Sequence, residues 1–172
     1  MFATLTQFLN GHPNPQFQQN VVPVVKALGD RLSSQTLTSG ALAINTALSP
    51  IVKVGAAYVG IANGVLVTKA LGTTMTALTG SVTNARFNAF SFFIDAAGVI
   101  TTLLGGEGVS LAAVKFPNTP PGKACIGFVI VNPTGTGAFV GGTTNLDDAT
   151  VVPNAVFVNT QGAFDPSVLL GS

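Results

Sequence analysis

The side chains that could take part in catalysis are few in this 172-residue chain and lie far apart in sequence. His12 is the only histidine and stands beside Pro13 in a polar stretch without periodicity, which favours a solvated linker position. Cys125 is the only cysteine and lies within an apolar run, where a thiol is typically buried and unreactive. A nucleophile and its general base must lie within hydrogen-bonding distance of each other. The sequence therefore predicts no catalytic residue and no enzyme activity.

Six acidic residues, among them the adjacent pair Asp147 and Asp148, are the other candidates for chemistry. Two carboxylates with help from carbonyl oxygens could bind a hard cation, but adjacent side chains on an extended chain point in opposite directions. Paired carboxylates could also cleave a glycosidic bond, although the chain has no tryptophan on which a sugar could stack. The glycine-rich stretches 105–108 and 141–142 lack the lysine of a phosphate-binding loop. We therefore expect loops and turns here, with no cofactor and no metal ion.

Charge is scarce along the whole chain. Charged residues make up 8% of the sequence and the formal net charge is +1, whereas about 25% charged residues is typical of soluble domains. The seven lysine and arginine residues are scattered singly, so no basic cluster is predicted to bind nucleic acid. Turn residues interrupt the apolar runs at 54–68 and 124–146, so no membrane-spanning helix is predicted. Residues 1–10 lack the pattern of a secretory signal, and we expect synthesis in a reducing cytoplasm. Either uncharged Thr, Ser, Asn and Gly cover the surface of such a chain, or much of the surface is buried against other protein, and the composition is compatible with both.

Turn residues divide most of the chain into short runs rich in apolar and β-branched residues. The predicted strands are residues 51–61, 65–68, 87–94, 99–104, 111–116, 124–131, 138–140 and 151–159. Asn63-Gly64 between the first two suits a type I′ hairpin turn, and Asp95 with Gly98 between the next two suits a type I turn. Residues 124–131 form an unbroken apolar run that is typical of a central strand covered on both faces. Pro153 assigns the last predicted strand to a sheet edge.

Short strands separated by turns at regular intervals are typical of antiparallel sandwiches and barrels. We therefore predict a mainly β fold over residues 35–172, an antiparallel β-sandwich or barrel of about seven to nine short strands. Residues 1–34 are predicted to form an N-terminal arm with a short amphipathic helix. The chain is long enough for one such domain with its own core.

The N-terminal arm contains a helical repeat of apolar residues. They recur every three or four positions, which predicts an amphipathic helix from about residue 21 to 33, with Pro23 in its first turn. The members of this repeat, which we name the docking stripe, are Phe17, Val21, Val25, Leu28 and Leu32, with Val24 as the alternative to Val25. Lys26, Asp30 and Arg31 lie off the stripe. The stripe either packs on the β domain or docks on a neighbouring subunit, and both alternatives stay open.

Phenylalanine supplies most of the aromatic side chains, with twelve copies. Alternate side chains of a strand point to opposite faces, so Phe90 and Phe92 share one face and Phe93 takes the other. Large apolar side chains on both faces predict that both faces are covered, by a second sheet, by the arm or by a neighbouring subunit.

Two stretches of the sequence resemble a module found in proteins that are encoded beside phage capsid genes. Residues 80–99 read GSVTNARFNAFSFFIDAAGV, and residues 123–133 read KACIGFVIVNP, followed by FVGGTTNLDD at 139–148. In that module a strand–turn–strand unit is followed by a Pro-rich turn, an apolar strand and a Gly-Gly-Thr-Thr loop. The resemblance implies a bacteriophage virion structural protein of the capsid decoration (cement) or head-fibre-associated type. It implies no active site.

The leading hypothesis is therefore a capsid decoration protein that stabilises the phage head by bridging neighbouring major capsid subunits. We expect it on the capsid surface of the virion, assembled in the bacterial host cytoplasm. Its expected partners are the major capsid protein and further copies of itself, as a homotrimer, with no nucleic acid and no membrane. The alternative is a fibre, spike or tail-attached subunit with a host-binding role. A third hypothesis, an enzyme or a sugar-binding module, would depend on Asp147 or Asp148.

Overall fold

The computed structural model describes residues 15–163, except for the side chains of residues 15–18 and 20. His12, considered above, lies outside the described residues. In chain order the elements are helix α1 (Pro15–Leu32) and strands β1 (Gln35–Thr36), β2 (Ala43–Ile44), β3 (Val52–Lys53), β4 (Tyr58–Ala62), β5 (Val65–Lys69), β6 (Ser81–Val82), β7 (Asn88–Ile94), β8 (Ile100–Leu104), β9 (Ala124–Val131), β10 (Phe139–Val140) and β11 (Val156–Asn159). A short 3₁₀ helix, Leu111–Ala113, lies between β8 and β9.

The prediction of a mainly β, sandwich-like fold is confirmed. The largest sheet has four antiparallel strands in the order β11-β9-β7-β8, and a second sheet has the order β1-β4-β5. Two small antiparallel pairs, β10-β6 and β2-β3, complete the described sheets. The described residues thus hold eleven strands, more than predicted, because several two-residue pairings carry too little pattern to be recognised in sequence.

The main core lies between the four-stranded sheet and the smaller sheets. Tyr58 and Val67 from the β1-β4-β5 sheet, and Phe90 and Phe92 from the four-stranded sheet, belong to one buried cluster. Phe90 also makes an edge-to-face contact with Phe139 of β10, with ring centroids 5.7 Å apart. Burying a large apolar side chain contributes about 1.5–3 kcal/mol, so this cluster stabilises the approach of the sheets.

The opposite face of the four-stranded sheet carries a second, smaller cluster. Ala89 of β7 and Phe128 of β9 are packed there with Val114 from the β8–β9 connection. Phe116 covers Phe128 edge to face, with ring centroids 4.8 Å apart. Every residue of β7 is buried, which confirms that both faces of this strand are covered.

The predicted placement of β9 is also confirmed. It lies between β7 and β11, and seven of its eight residues are buried, Ile130 being half-buried. Its register with β7 shifts between Phe92 and Phe93, so one residue of β9 is extra at this point. Such a bulge strengthens the local twist of a sheet. Phe90, Phe92 and Ile94 face the main core, and Phe93 is buried outside it, as the alternation predicted.

Both predicted hairpins are confirmed. Asn63 and Gly64 connect β4 to β5 with φ of 49° and 77°, and Ala62 pairs with Val65 across the turn. Two positive φ values are what a type I′ turn requires. In the β7–β8 turn the Gly98 N–H donates to the Asp95 carbonyl at 2.9 Å, which closes the predicted four-residue turn.

The prediction of one strand over residues 51–61 is wrong, because the chain bends between β3 and β4. The Gly55 N–H donates to the carbonyls of Gly40 and Ala41, at 2.9 and 3.1 Å, instead of entering a strand ladder. A side chain at Gly55 would overlap the Ala41 carbonyl oxygen. Close approach of two backbones, which the local pattern does not encode, therefore divides the predicted strand.

Two further predicted strands differ from the structure. Residues 111–116 contain the 3₁₀ helix and only an isolated bridge from Lys115 to Gly106, because Gly108 packs against the backbone of residues 113 and 114 and turns the chain. The last strand is shorter, with Pro153 in the preceding turn, although it does lie at a sheet edge. Proline cannot donate to a ladder, so the strand starts only after it.

Helix α1 begins six residues before the predicted start, and Pro23 lies in its interior instead of its first turn. A proline in a helix removes the hydrogen bond to the carbonyl four residues earlier, here that of Gln19. Both Pro23 and Gln19 are exposed, so water can solvate the unpaired carbonyl. Solvent exposure therefore allows the helix to continue through a residue that was expected to limit it.

Gly55→Ala should destabilise the fold, because the added methyl group meets backbone that cannot move without breaking the hydrogen bonds at Gly40 and Ala41. We expect a loss of about 1–3 kcal/mol in the free energy of unfolding, measured by urea titration. Gly29→Ala is the control, since nothing lies within 4 Å of its added methyl group, and it should not lower stability. Equal stability of the two variants would contradict the close approach at Gly55.

Candidate docking surface

The docking stripe lies on α1, and its described side chains are largely open to solvent. Val21, Leu28 and Leu32 are exposed by 36%, 55% and 57%, and Val25 is half-buried. Phe17 lies in the same helix, but its side chain is outside the described part of the structure. Val24, beside the stripe, is exposed by 66%. In the described part of the chain no strand packs extensively on α1, so these side chains are not used to fill the core.

The C-terminal end of α1 is nevertheless fixed to the β fold. Gly64 in the β4–β5 turn donates its N–H to the Ser33 carbonyl at 2.7 Å. The Asn63 N–H donates to Ser34 Oγ at 3.0 Å. These bonds attach the end of the helix to the tip of the β4–β5 hairpin. The C-terminal end of the helix, next to its exposed apolar side chains, is therefore held in a fixed position on the β domain.

A network of buried hydroxyl groups holds the segment that follows α1. Thr36 of β1 donates from Oγ1 to the Cys125 carbonyl at 2.6 Å, and Thr160 donates to the same carbonyl, also at 2.6 Å. The Tyr58 hydroxyl lies 3.1 Å from Thr36 Oγ1. Because the single Thr36 proton is given to Cys125, the Tyr58 hydroxyl is the donor in that contact. The network thus joins four segments that are far apart in sequence, at a point close to the C-terminal end of α1. They contain Thr36, Tyr58, Cys125 and Thr160.

No sequence motif marks this network, since hydroxyl side chains occur throughout the chain without a pattern. Burial raises the pKa of Tyr58 above its ordinary value, because it disfavours the charged phenolate. Cys125 is buried, as predicted. Its carbonyl, which no sequence pattern marks, is the group that the two threonines bind.

The adjacent carboxylates of Asp147 and Asp148 fix the conformation of loops. Asp147 accepts a hydrogen bond from the Leu48 N–H at 2.8 Å. Asp148 accepts from both the hydroxyl and the N–H of Thr150, at 2.6 and 2.9 Å, and these bonds lower the pKa of its carboxyl group. The two carboxylates thus bind donors from different parts of the chain. Within residues 15–163, no group of three or more His, Cys, Asp or Glu side chains has an arrangement that could hold a metal ion.

Lys123 makes a structural contact with the β7–β8 hairpin. Lys123 donates from Nζ to Thr101 Oγ1 at 2.7 Å and lies 3.9 Å from Asp95 at the β7–β8 turn. Both charged side chains are partly exposed, so this pair is worth about 0–1 kcal/mol. It connects the hairpin to the start of β9.

None of the helices in the described part of the structure is both long and apolar enough to cross a membrane. Comparisons of the chain with protein-family models, with curated proteins and with solved structures find no match. The geometry of the described residues is therefore the basis on which a function is proposed.

The raised pKa of Tyr58 predicts a specific loss of stability at alkaline pH. The folded chain favours the neutral phenol, so this contribution is complete below pH about 10, where the unfolded phenol ionises, and is lost as the pH rises through the folded pKa. Tyr58 is the only tyrosine, so the increase in ultraviolet absorbance that accompanies phenolate formation reports on this phenol alone. We expect the phenolate form of Tyr58 to appear only at a pH above the ordinary pKa of a phenol. It should appear together with loss of the circular-dichroism signal of the β strands.

Tyr58→Phe is the control for this titration. It removes the ionisable group and keeps the ring, so the alkaline step assigned to Tyr58 should disappear from the unfolding curve. A wild-type phenol that ionises near its ordinary pKa while the β signal stays intact would show that the hydroxyl is not buried in this network.

Proposed function

We propose that this chain is a structural protein of a bacteriophage virion, a capsid decoration or cement protein that bridges neighbouring major capsid subunits. The single observation that carries the proposal is that Val21, Leu28 and Leu32 of the docking stripe are exposed on a helix whose C-terminal end is bonded to the β fold and on which no described strand packs extensively. A helix with one apolar side gains stability when that side is buried against another surface. In this proposal the major capsid protein provides that surface.

The scarcity of charge supports the same proposal. The chain has a formal net charge of +1 and 8% charged residues, so little electrostatic repulsion opposes its packing against other protein. A protein that remains a dispersed monomer normally carries more surface charge. Binding by apolar contact requires about 1,000 Å² or more of well-matched interface, which a helix and adjoining loops together can provide.

The fold supplies a rigid platform for the helix. Both faces of β7 are covered, and the hydroxyl network fixes β1 directly after α1. A decoration protein stabilises a shell only if it transmits force between the subunits that it joins. The two covered faces of the central sheet provide the required stiffness.

Polar substitution of the stripe should abolish binding to phage heads. The full-length variant Leu28→Gln/Leu32→Gln keeps helix-forming residues but removes apolar side chains that are exposed by 55% and 57%. DNA-free expanded heads of the phage that encodes the chain are mixed with it and sedimented. We expect the wild type to sediment with the heads and the variant to lose at least tenfold in affinity, a change of about 1.4 kcal/mol.

The matched control is Lys26→Gln/Asp30→Asn, which changes two residues of the same helix off the stripe and should sediment like the wild type. Binding that survives the Leu28 and Leu32 changes would refute the role of the stripe. Absence of wild-type binding to heads, with adsorption to host cells, would favour the alternative, a fibre, spike or tail-attached subunit.

The proposed oligomer is a homotrimer. The full-length protein should therefore have a mass in solution that is a multiple of three chains of 17.3 kDa, measured by light scattering during gel filtration. A protein that stays at one chain over a broad concentration range would contradict this part of the proposal. Such a result would leave the head-binding assay to decide on the docking stripe.

A further inference from the structure

Strand β5 is the open edge of the β1-β4-β5 sheet. At the other edge of this sheet, β1 is bridged by Gly162: the Thr36 N–H donates to the Gly162 carbonyl at 3.0 Å, and the Gly162 N–H donates back at 2.7 Å. In the described part of the chain no strand or bridge stands against the outer side of β5. One edge of the sheet is thus closed and the other is not.

The backbone groups that are open on β5 follow from the pairing of β4. The Leu37 N–H donates to the Val59 carbonyl at 2.9 Å, which shows that Val59 directs its backbone groups toward β1. Residues of an antiparallel strand alternate in this respect, so Val59 does not bond β5 and its β5 partner, Thr68, directs its N–H and C=O outward. The same alternation applies to Leu66. Among the described residues, none donates to or accepts from the outward groups of these two residues.

The side chains of β5 do not protect this edge. Val65 and Leu66 are exposed by 48% and 63%, and the five-residue pairing with β4 runs without a bulge or a proline. Sheet edges are usually protected by charge, proline, bulges or a covering segment, because open edges pair with other strands. Lys69, at the end of β5, is the only charged residue of the strand.

The edges of the four-stranded sheet differ from β5 in this respect. Along β8, the Thr102 hydroxyl donates to the Thr76 carbonyl at 3.0 Å, and the Thr76 hydroxyl donates to the Ile100 carbonyl. Along β11, Asn159 accepts from the Leu42 N–H at 2.7 Å through its side chain. A neighbouring segment is bound at each of these edges. The edge of β5 has no such neighbour in the described residues.

We propose that β5 is a self-association site, at which β5 of a second copy pairs antiparallel across a two-fold axis beside Val67. In this register Leu66 of one copy lies opposite Thr68 of the other, so the outward groups of both residues form about four interchain hydrogen bonds. A strand that pairs with itself in antiparallel orientation matches its own pattern of donors and acceptors. A second copy of β5 therefore matches the open donors and acceptors of this edge without any change in either strand.

Charge also favours a second copy in this register. Lys69 lies opposite Val65 of the other copy, so the two Lys69 side chains are at opposite ends of the new pair. The net charge of +1 per chain gives little repulsion between copies. Pairing in a register that placed Lys69 opposite Lys69 would instead bring like charges together, which is destabilising.

The contact extends beyond the strands. Leu71, two residues after β5, is exposed by 68% and in this pairing reaches the hairpin tip of the other copy. That tip is hydrogen-bonded to the end of α1, where Leu32 is also exposed. Apolar side chains at both ends thus add to the central strand pair. Such additions are needed, because a stable interface buries about 1,000 Å² or more.

The inference goes beyond the proposed function and does not depend on it. Its test uses two full-length variants of the exposed positions of β5. Leu66→Lys/Thr68→Lys places two lysines opposite each other in the proposed register, whereas Leu66→Lys/Thr68→Glu places lysine opposite glutamate. The matched control is Val109→Lys/Leu111→Lys, which adds the same charge at exposed apolar residues far from β5 in sequence (69% and 48% exposed).

Mass is measured by light scattering over a concentration series. We expect the wild type and the Val109/Leu111 control to reach an even number of chains, and Leu66→Lys/Thr68→Lys to halve that mass. Leu66→Lys/Thr68→Glu should restore the full mass, because only the proposed register brings residues 66 and 68 of different copies together. Amide hydrogen exchange gives an independent measurement: the Leu66 and Thr68 amides should exchange slowly in the wild type and rapidly in the Lys/Lys variant.

An unchanged mass in Leu66→Lys/Thr68→Lys would overturn the inference, as would failure of the Lys/Glu variant to differ from it. Circular dichroism and thermal unfolding confirm that each variant is folded before its mass is compared. A twofold fall in the mass of the Lys/Lys variant reports on the β5 contact alone. A mass that is a multiple of three chains reports on the proposed trimer, and sedimentation with heads reports on the docking stripe. Failure of this inference is therefore distinguishable from failure of the proposed function.

Discussion

The fold depends on the burial of both faces of the β7–β9 strand pair. Phe90 and Phe92 face the main core, while Ala89 and Phe128 face the second cluster. A sheet that is apolar on both faces must be covered on both, and the rest of the chain is arranged to do so. The smaller sheets cover one side, and the connection through Val114 covers part of the other.

Charged side chains are few in this chain, and four of the acidic ones bind backbone N–H groups of loops and turns. Asp95 accepts from the Ala97 and Val99 N–H groups, and Glu107 accepts from the Thr83 N–H. Asp147 and Asp148 act in the same way in their loops. These four carboxylates therefore fix the conformation of loops by binding backbone N–H groups.

The two surfaces proposed for contact with other protein lie beside each other. The docking stripe ends near the tip of the β4–β5 hairpin, because Ser33 and Ser34 bind the turn residues there. The open edge of β5 starts at the same turn. In the two proposals, one subunit would bind a shell through its helix and a second copy through its strand, and the bonds between Ser33, Ser34 and the β4–β5 turn would hold the two contacts in fixed relation.

The sequence by itself determined the fold class, the two hairpin turns and the central position of β9. These features depend on local requirements, such as positive φ at Asn63 and Gly64 or an unbroken apolar run, that neighbouring residues express directly. The helical repeat was also recognisable, although its start and the interior position of Pro23 were not. Solvent exposure, which permits that proline, is a property of the folded molecule.

Only the tertiary structure decided the bend at Gly55, the hydroxyl network at Cys125 and the open edge of β5. Each depends on segments far apart in the chain: Gly55 meets Ala41, and Thr36 meets Cys125. A strand lies at an edge when another strand pairs with it on one side only. This depends on the rest of the chain, so no pattern within β5 could distinguish it from a central strand. The physical reason is the same in all three, since contact between distant segments is set by packing and not by local conformational preference.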